Sequence, residues 1–561
     1  MRRIGENSMT FAAPTFAAQW RRSVDAHGAR PFLVFEASDG TVSRWTYREF
    51  DDVVARTATQ FAAAGADVSH GVHLALTNSP SFVASWLAAT GIGSYIVPSD
   101  PMATAPELAE HIARTKPVMT VVSTARRDVA DAALALVAEK SGEASIPTLV
   151  AVDEDDALCA GLATFAGGVN SRIESWPEPA GDDRAGIMFT SGTTGRPKGV
   201  VITQANYAFA GSTMAAAASL GHDDRHIVVL PLFHVNAQYY SFAASIAAGA
   251  SVALMPTFSA SRFVEQAARH QATHASLFAG PMRMILARGG PWTPTDDEPA
   301  LVLRHCWFAQ NVTQDQYDTI SQWFGCRPRQ LYGMTETIPA VLTARVDDPH
   351  PESMGVVTDG CIVEVHDADG NRAAPGDVGD VVVGGEPGVT LFDGYLDDPD
   401  TTAASYRGEW FVTGDRARTD SEGRFYFDGR RSDVLKVSGE NVSVVEVETV
   451  IGAHPDVFDV VVVGAPDDIR DEVPVAFVVP ELHRAAGGAD LPERLAAWCE
   501  ERLGKVKRPR SFTLVDELPR TSVGKVRKFL LADAAASSTV DTTTPDPARP
   551  DSDPNLEETR P

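Results

Sequence analysis

The segment Thr190-Ser191-Gly192-Thr193-Thr194-Gly195-Arg196-Pro197-Lys198-Gly199 constrains this chain more than any other. It follows directly on the apolar run Ile187-Met188-Phe189, so a strand opens into a loop rich in glycine and hydroxyl groups. Glycines let backbone amides approach an anion closely, the hydroxyls add donors, and Lys198 supplies a compact positive charge. The segment therefore reads as a polyphosphate cradle at the end of a strand in a layered α/β domain. Gly199 follows Lys198 where a Walker A loop has Ser or Thr, and the spacing also differs, which disfavours a P-loop ATPase or kinase.

The surrounding pattern agrees with such a domain. Val72 to Leu76, Ile187 to Thr190 and Val228 to Leu230 are strand-like runs alternating with Ala-rich helical segments. From about Ile362 to Gly385 the texture changes to short strands with turns at Asp369-Gly370 and Pro375-Gly376, so a β-rich subdomain is expected over about 355–430. A boundary falls near Arg431 to Asp433, after the strand Phe425-Tyr426-Phe427. Beyond it, Ser443 and Glu446 form a capping box opening a helix that stops around Gly452 to Pro455. A strand at Val460 to Val463 and a helix from Pro492 to Leu503 complete a unit of normal small-domain size. The expected organisation is a large N-terminal domain over 1–430, a small α+β domain over 431–535, and an acidic tail over 536–561 whose composition predicts disorder.

With 561 residues the chain exceeds what one core usually organises, and its formal charge of -27 argues against nucleic acid or anionic membrane as the main partner. An anionic ligand must therefore meet a local basic cluster. Five scattered cysteines without a CxxC pair fit a reducing compartment, and no apolar signal-peptide core follows Met1-Arg2-Arg3, so a cytoplasmic protein is expected. Val235 to Ser261 carries no charge but is mostly Ala, Ser and Gly, with Pro256 inside; a buried helix followed by a strand is the expectation there, and no transmembrane segment.

Five further motifs follow the loop in order: Tyr332-Gly333-Met334-Thr335-Glu336, Thr413-Gly414-Asp415, Gly429-Arg430, Gly439-Glu440-Asn441 and Pro519-Arg520-Thr521-Ser522-Val523-Gly524-Lys525. Together with the loop they resemble the adenylate-forming superfamily of acyl-CoA synthetases, peptide-synthetase adenylation domains and luciferases, and they span nearly the whole ordered chain. The pocket segments, with Gly439 to Ser443, look closest to crotonobetaine/carnitine-CoA ligases.

The resemblance implies an ATP- and magnesium-dependent acid:CoA ligase that forms an acyl-adenylate and then a thioester with coenzyme A. Thr190, Ser191, Gly192, Thr193, Thr194, Gly195 and Lys198 would hold pyrophosphate. Glu336, with Thr335 nearby, would be the Mg²⁺ ligand, since a carboxylate beside a triphosphate calls for a divalent cation between them. Tyr332, next to Gly333, offers a flat face to adenine or the acyl group. Asp415 would accept the ribose hydroxyls, and Arg430 would reach the ribose or α-phosphate.

Lys525 would neutralise the α-phosphate as the carboxylate attacks. It stands among Lys505, Lys507, Arg508, Arg510, Arg520, Arg527 and Lys528, a basic cluster suited to ATP and coenzyme A phosphates. The family runs both half-reactions by rotating the small domain, so that Lys436 and Gly439 line the thiol channel. Ser432 stands at the pivot, where relatives usually have Asp or Lys.

His234, Asn236 and Gln238, after Pro231-Leu232-Phe233, are expected to line a somewhat polar acyl pocket, with Tyr239 and Tyr240 following. Gln310, within Trp307 to Asn311, stands where many relatives have a Gly-rich turn. His222/His226 and His270/His274 show zinc-like spacing without the adjacent Glu of a metalloprotease motif, so metal binding is not expected there. Two other readings remain open: adenylation with another acceptor (a carrier-protein thiol or an amine, including an aryl amine meeting adenylated nitrite in bacterial secondary metabolism), and an inactive nucleotide-binding homologue. Oligomerisation is open, as is the identity of the acid.

Overall fold

The computed structural model describes residues 14–538 apart from 142–145, 157–171, 191–196, 311, 347–349, 431–433, 439, 468–469, 482–489 and 521–525. The expected tail at 536–561 lies almost wholly outside the described residues, as does Ser432. The chain divides into two compact units between residues 431 and 432.

Among the described residues the large unit is built on two big sheets and a smaller one. The nine-stranded sheet runs in the order Val356–Val357, Leu342–Thr343, Arg329–Tyr332, His305–Phe308, His274–Ser276, Arg225–Val228, Ser251–Leu254, Pro31–Glu36 and Val42–Thr46. Its interior pairs, from Arg329–Tyr332 through Pro31–Glu36, are all parallel, so their carboxyl ends share one edge. The seven-stranded sheet runs from Gly394–Tyr395 through Lys198–Thr203, Arg184–Thr190, Ile96–Pro98, Val72–Ala75 and Met119–Ser123 to Thr148–Val152. Such strands are buried on both faces and mostly apolar, as Val72–Ala75 and Met119–Ser123 show, with His73, Thr120 and Ser123 as their buried polar residues.

The helices between the sheets begin where side chains can satisfy orphan amides. Thr46 and Glu49 make a reciprocal capping box at the start of Tyr47–Ala63. Helix Pro80–Gly91 opens with Ser79 as cap and Pro80 in its first turn, and every residue of it is buried. It can be apolar all round because its whole circumference meets core. A stacked group formed by Phe16, Trp86 and Tyr207 belongs to the same interior.

The uncharged Val235 to Ser261 segment is a π-helix over Asn236–Ala243, a short α-helix over Ala244–Ala248 and the strand Ser251–Leu254. No helix among the described residues is long and apolar enough to cross a membrane. The β-rich segment forms a separate antiparallel sheet of Ile362–His366, Gly379–Gly384, Trp410–Thr419 and Tyr406–Arg407, with Phe425–Arg430 also pairing Trp410–Thr419.

The small unit is mixed α+β. Val434–Val437 pairs Glu440–Ser443 and Asp471–Pro480, which is flanked by Val457–Asp467 and Ser511–Leu514. Ser443 Oγ accepts from the Glu446 amide at 3.4 Å and opens helix Val444–Gly452. A second helix spans Leu491–Arg502.

The basic cluster expected to meet phosphates is largely compensated inside this unit. Lys507 pairs Glu446, Arg508 pairs Glu500, Arg510 pairs Asp467, Arg520 pairs Asp459 and Lys528 pairs Glu448. In sequence the cations crowd together, while the acids that pair with them come from other elements of the fold.

Candidate active site

Ligands of open parallel sheets sit beyond the carboxyl ends of the strands. Tyr332 ends one such strand, and Gly333 and Met334 lead into the single 3-10 turn Thr335–Thr337. A Cβ on Gly333 would lie 2.8 Å from the Tyr240 hydroxyl oxygen and 2.9 Å from the Pro339 carbonyl oxygen, so the chain can pass only as glycine. The turn buries Thr335 and leaves Glu336 5% exposed.

Glu336 is held from the neighbouring sheet. Its Oε1 accepts from the Tyr395 hydroxyl at 3.0 Å, and its carbonyl accepts from the Phe392 amide at 2.9 Å. A hydrogen bond to a buried charged group contributes about 1.5–3 kcal/mol, more than an exposed ion pair. The same tyrosine ring carries the Lys198 ammonium, 4.8 Å from its centroid. Lys198 lies opposite Thr190 in the antiparallel pair of Arg184–Thr190 with Lys198–Thr203, so both stems of the glycine-hydroxyl loop are fixed. Ser191, Gly192, Thr193, Thr194 and Gly195 themselves lie outside the described residues.

A further anchor for those stems escaped the sequence reading. The Arg114 guanidinium stacks over Phe189 at 4.9 Å and donates to the Pro197 carbonyl at 2.6 Å. His111 covers Phe189 face to face at 4.0 Å. Burial pushes the His111 imidazole down to about 4, so it is neutral at physiological pH beside Arg114.

Asp415 has a different setting. It is 4% exposed; Oδ2 accepts from the Tyr332 hydroxyl at 2.7 Å and Oδ1 from Arg430 Nε at 2.9 Å. Asp415 and Arg430 face each other directly across Trp410–Thr419 and Phe425–Arg430. Burial first, and the Asp415 charge second, push the Tyr332 phenol well above its ordinary value, so it donates and stays neutral. Each carboxylate oxygen has a second lone pair for an incoming hydroxyl. Thus Tyr332, Asp415 and Arg430 are brought together, and so are Lys198 and Glu336 through Tyr395.

Residues 20–396 match the AMP-binding enzyme family, and residues 446–525 match the AMP-binding enzyme C-terminal domain. The chain belongs to the AMP-binding enzyme family. It is 34% identical over 513 residues to the crotonobetaine/carnitine–CoA ligase of Escherichia coli, covering 90% of this chain and 96% of that one. Its fold is similar to ATP-bound MatB from Rhodopseudomonas palustris (TM-score 0.78, 26% identity, 92% of this chain and 98% of that one). It is also similar in fold to the anthranilate CoA ligase AuaEII in complex with anthranoyl-AMP (TM-score 0.81, 22% identity, 94% and 98% covered). This AMP-binding enzyme is an adenylate-forming ligase of the acyl-CoA synthetase type.

The buried carboxylate of Glu336, with Thr335 beside it, is a donor set of the kind that magnesium takes. Among the described residues no group of three or more His, Cys, Asp or Glu converges as a metal cluster, whereas magnesium is commonly held by one or two carboxylates with phosphate and water. The histidine pairs have structural partners: His270 meets Glu36 at 2.6 Å, and His226 and His274 lie on adjacent strands, His226 pushed down to about 3 by burial.

Of the residues expected to line the acyl pocket, the half-buried His234 precedes the π-helix and packs beside Phe233 at 4.9 Å. Asn236 is 2% exposed, and neither atom of its amide makes a hydrogen bond. Gln238, expected beside it, is taken up by the fold: its amide accepts from the Tyr207 hydroxyl and donates to the Leu232 carbonyl at 2.6 Å. It braces the π-helix, a role its place in the sequence does not reveal. Gln310 adopts φ +75°, the left-handed region, which explains why a Gly-rich turn suits this position. Its carbonyl accepts from Gln330 Nε2 at 3.1 Å.

In the small unit, Lys436 lies opposite Asn441, its side chain exposed and its amide donating to Glu472 at 2.9 Å. Gly439 and Lys525 lie outside the described residues.

Proposed function

We propose that this AMP-binding enzyme is an ATP- and magnesium-dependent acid:CoA ligase that makes an acyl-adenylate and then an acyl-CoA thioester. The observation that carries the reading is the pair of buried carboxylates. Asp415, held by Tyr332 and Arg430, keeps lone pairs for ribose hydroxyls. Glu336, seated near Lys198 by Tyr395, would hold magnesium against a triphosphate.

In the first half-reaction Lys198 and the Thr190 to Gly195 loop hold the β- and γ-phosphates, and Thr335 and Glu336 carry magnesium. When bound there, the ion would supply positive charge against the phosphates and the departing pyrophosphate. Tyr332 and Gly333 border the adenine, and Arg430 adds positive charge at the ribose and α-phosphate. Lys525 stabilises the charge that builds as the substrate carboxylate attacks the α-phosphorus. The carboxylate–phosphorus bond forms and the bond to pyrophosphate breaks. In the second half-reaction the coenzyme A thiol, passing Lys436 and Gly439, displaces AMP from the acyl carbon.

The acid is small and polar in this reading. A buried amide left unpaired costs about 1–3 kcal/mol, which a substrate hydrogen-bonding group at Asn236 would recover. His234, Gln310 and Gln238 are the other side chains assigned to that pocket in this reading.

Acid-dependent exchange of labelled pyrophosphate into ATP tests adenylation, and CoA-dependent AMP release over a panel of small acids tests the acceptor. Nitrite with an aromatic amine, and a carrier-protein thiol, belong in that panel. Exchange without any CoA-dependent AMP release would move the acceptor to one of them, and ATP binding with no exchange for any acid would leave only an inactive homologue.

A further inference from the structure

Tyr395 was not singled out by its sequence neighbourhood, yet it touches two groups of the proposed chemistry. Its segment is clasped on both sides. Tyr395 pairs with Val200, the Leu396 amide donates to the Gly199 carbonyl at 2.7 Å, and the Phe392 amide donates to the Glu336 carbonyl at 2.9 Å. The Tyr395 amide is fixed by Thr402 Oγ1 at 2.9 Å, and Phe392 packs edge-on against its ring at 4.9 Å. The side chain is 8% exposed, so the ring has a defined place. From that place the hydroxyl reaches Glu336 Oε1 at 3.0 Å while the face supports Lys198 Nζ at 4.8 Å.

We propose that Tyr395 is a positioning residue that seats the Lys198 ammonium on its face and the Glu336 carboxylate at its tip, so that both can meet a magnesium–triphosphate. The inference rests on the reading of Glu336 as the magnesium ligand. Its physical content is preorganisation. A lysine and a glutamate near each other attract, and a direct ion pair would have to be broken before either met phosphate or metal. The ring attracts the cation through its quadrupole without neutralising it. The hydroxyl donates to one oxygen of the carboxylate and so fixes the orientation of the group.

The two halves of the ring separate by substitution. Tyr395→Phe keeps the face and removes the hydroxyl, whereas Tyr395→Leu removes both. Calorimetric titration of the full chain with ATP, with and without magnesium and with no acid present, gives the factor by which magnesium tightens binding. For Tyr395→Phe we expect that factor to fall about tenfold while magnesium-free ATP binding stays within about twofold. For Tyr395→Leu we expect the same loss, and magnesium-free binding several-fold weaker because Lys198 loses its seat. A merely structural tyrosine would weaken both measurements together.

Glu336→Gln is the internal reference. If it abolishes the magnesium gain while Tyr395→Phe keeps it, the positioning role is overturned and the magnesium reading stands. If Glu336→Gln itself keeps the gain, the magnesium reading fails and this inference with it.

Discussion

Glu336 and Asp415 are both buried, and both accept a tyrosine hydroxyl, from Tyr395 at 3.0 Å and from Tyr332 at 2.7 Å. They differ in where the nearby cation sits. Arg430 is bonded directly to Asp415, so that carboxylate is already matched and is suited to neutral hydroxyl groups. Lys198 instead rests on the ring of the same tyrosine that donates to Glu336. In the proposed reading, one motif, a tyrosine on a carboxylate, would serve a sugar in one place and a metal-bound phosphate in the other.

The largest expected effect comes from removing Asp415. Asp415→Ala leaves the Tyr332 hydroxyl and Arg430 without their shared acceptor and removes the ribose ligand. We expect KM for ATP to rise by a factor of about a hundred in pyrophosphate exchange, consistent with losing two hydrogen bonds to a charged group. The loss should be the same at low and high magnesium. Arg430 is half exposed, so the cost in stability should stay below that of a fully buried pair.

Glu336→Gln should give the opposite pattern. The amide keeps an acceptor for Tyr395 but loses the charge that magnesium requires. We expect exchange to fall at least tenfold at limiting magnesium and to recover in part as the ion is raised. If Asp415→Ala and Glu336→Gln responded to magnesium alike, the division of labour between the two carboxylates would be wrong.

What could be read from the chain and what could not follow the same divide. Glu336, Asp415, Arg430 and Lys198 stand in short local motifs, and a strand followed by a glycine-hydroxyl loop has a strong local signature. Tyr395 depends on a pairing with Val200, far away in sequence, and a lone Gly-Tyr carries no trace of it. The run Val228 to Leu230 ends as a strand at Val228, because Val229 and Leu230 are buried in the connection that precedes Pro231 rather than in the sheet. The π-helix over Asn236–Ala243 was legible only as a buried helix, since its ladder follows neither of the periods that sequence patterning reveals. The basic residues from Lys505 to Lys528 were legible as charges but not as ion pairs, whose acidic halves come from Glu446, Glu448, Asp459 and Asp467 as well as Glu500.

Tyr332→Phe sharpens the comparison with a smaller effect. It removes one of the two donors that aim Asp415 and keeps the ring face. We expect KM for ATP to rise about tenfold with no change in the magnesium response, the value of one hydrogen bond to a carboxylate. A shift in magnesium dependence in this variant, measured as for Tyr395→Phe, would show that the two tyrosines act on one coupled site.

The smallest effect tests the proposed place of Gln310 in the acyl pocket. Gln310 stands at φ +75°, and its carbonyl accepts from Gln330, which lies on the strand that ends in Tyr332. A non-glycine residue in the left-handed region costs about 1–2 kcal/mol. Gln310→Gly relieves that strain but adds freedom to the unfolded chain worth about 0.5–1 kcal/mol. The two terms nearly offset, so thermal unfolding should leave stability within about 1 kcal/mol of the parent. Gln310→Val cannot relax the backbone and should lose about 1–2 kcal/mol, because a β-branched side chain fits this region worst. In exchange assays Gln310→Gly should raise KM for the acid a few-fold and leave KM for ATP unchanged, since the amide is lost but the turn behind Tyr332 is kept. An unchanged KM for the acid would move Gln310 out of the acyl wall and make it a backbone support for the Asp415 side alone.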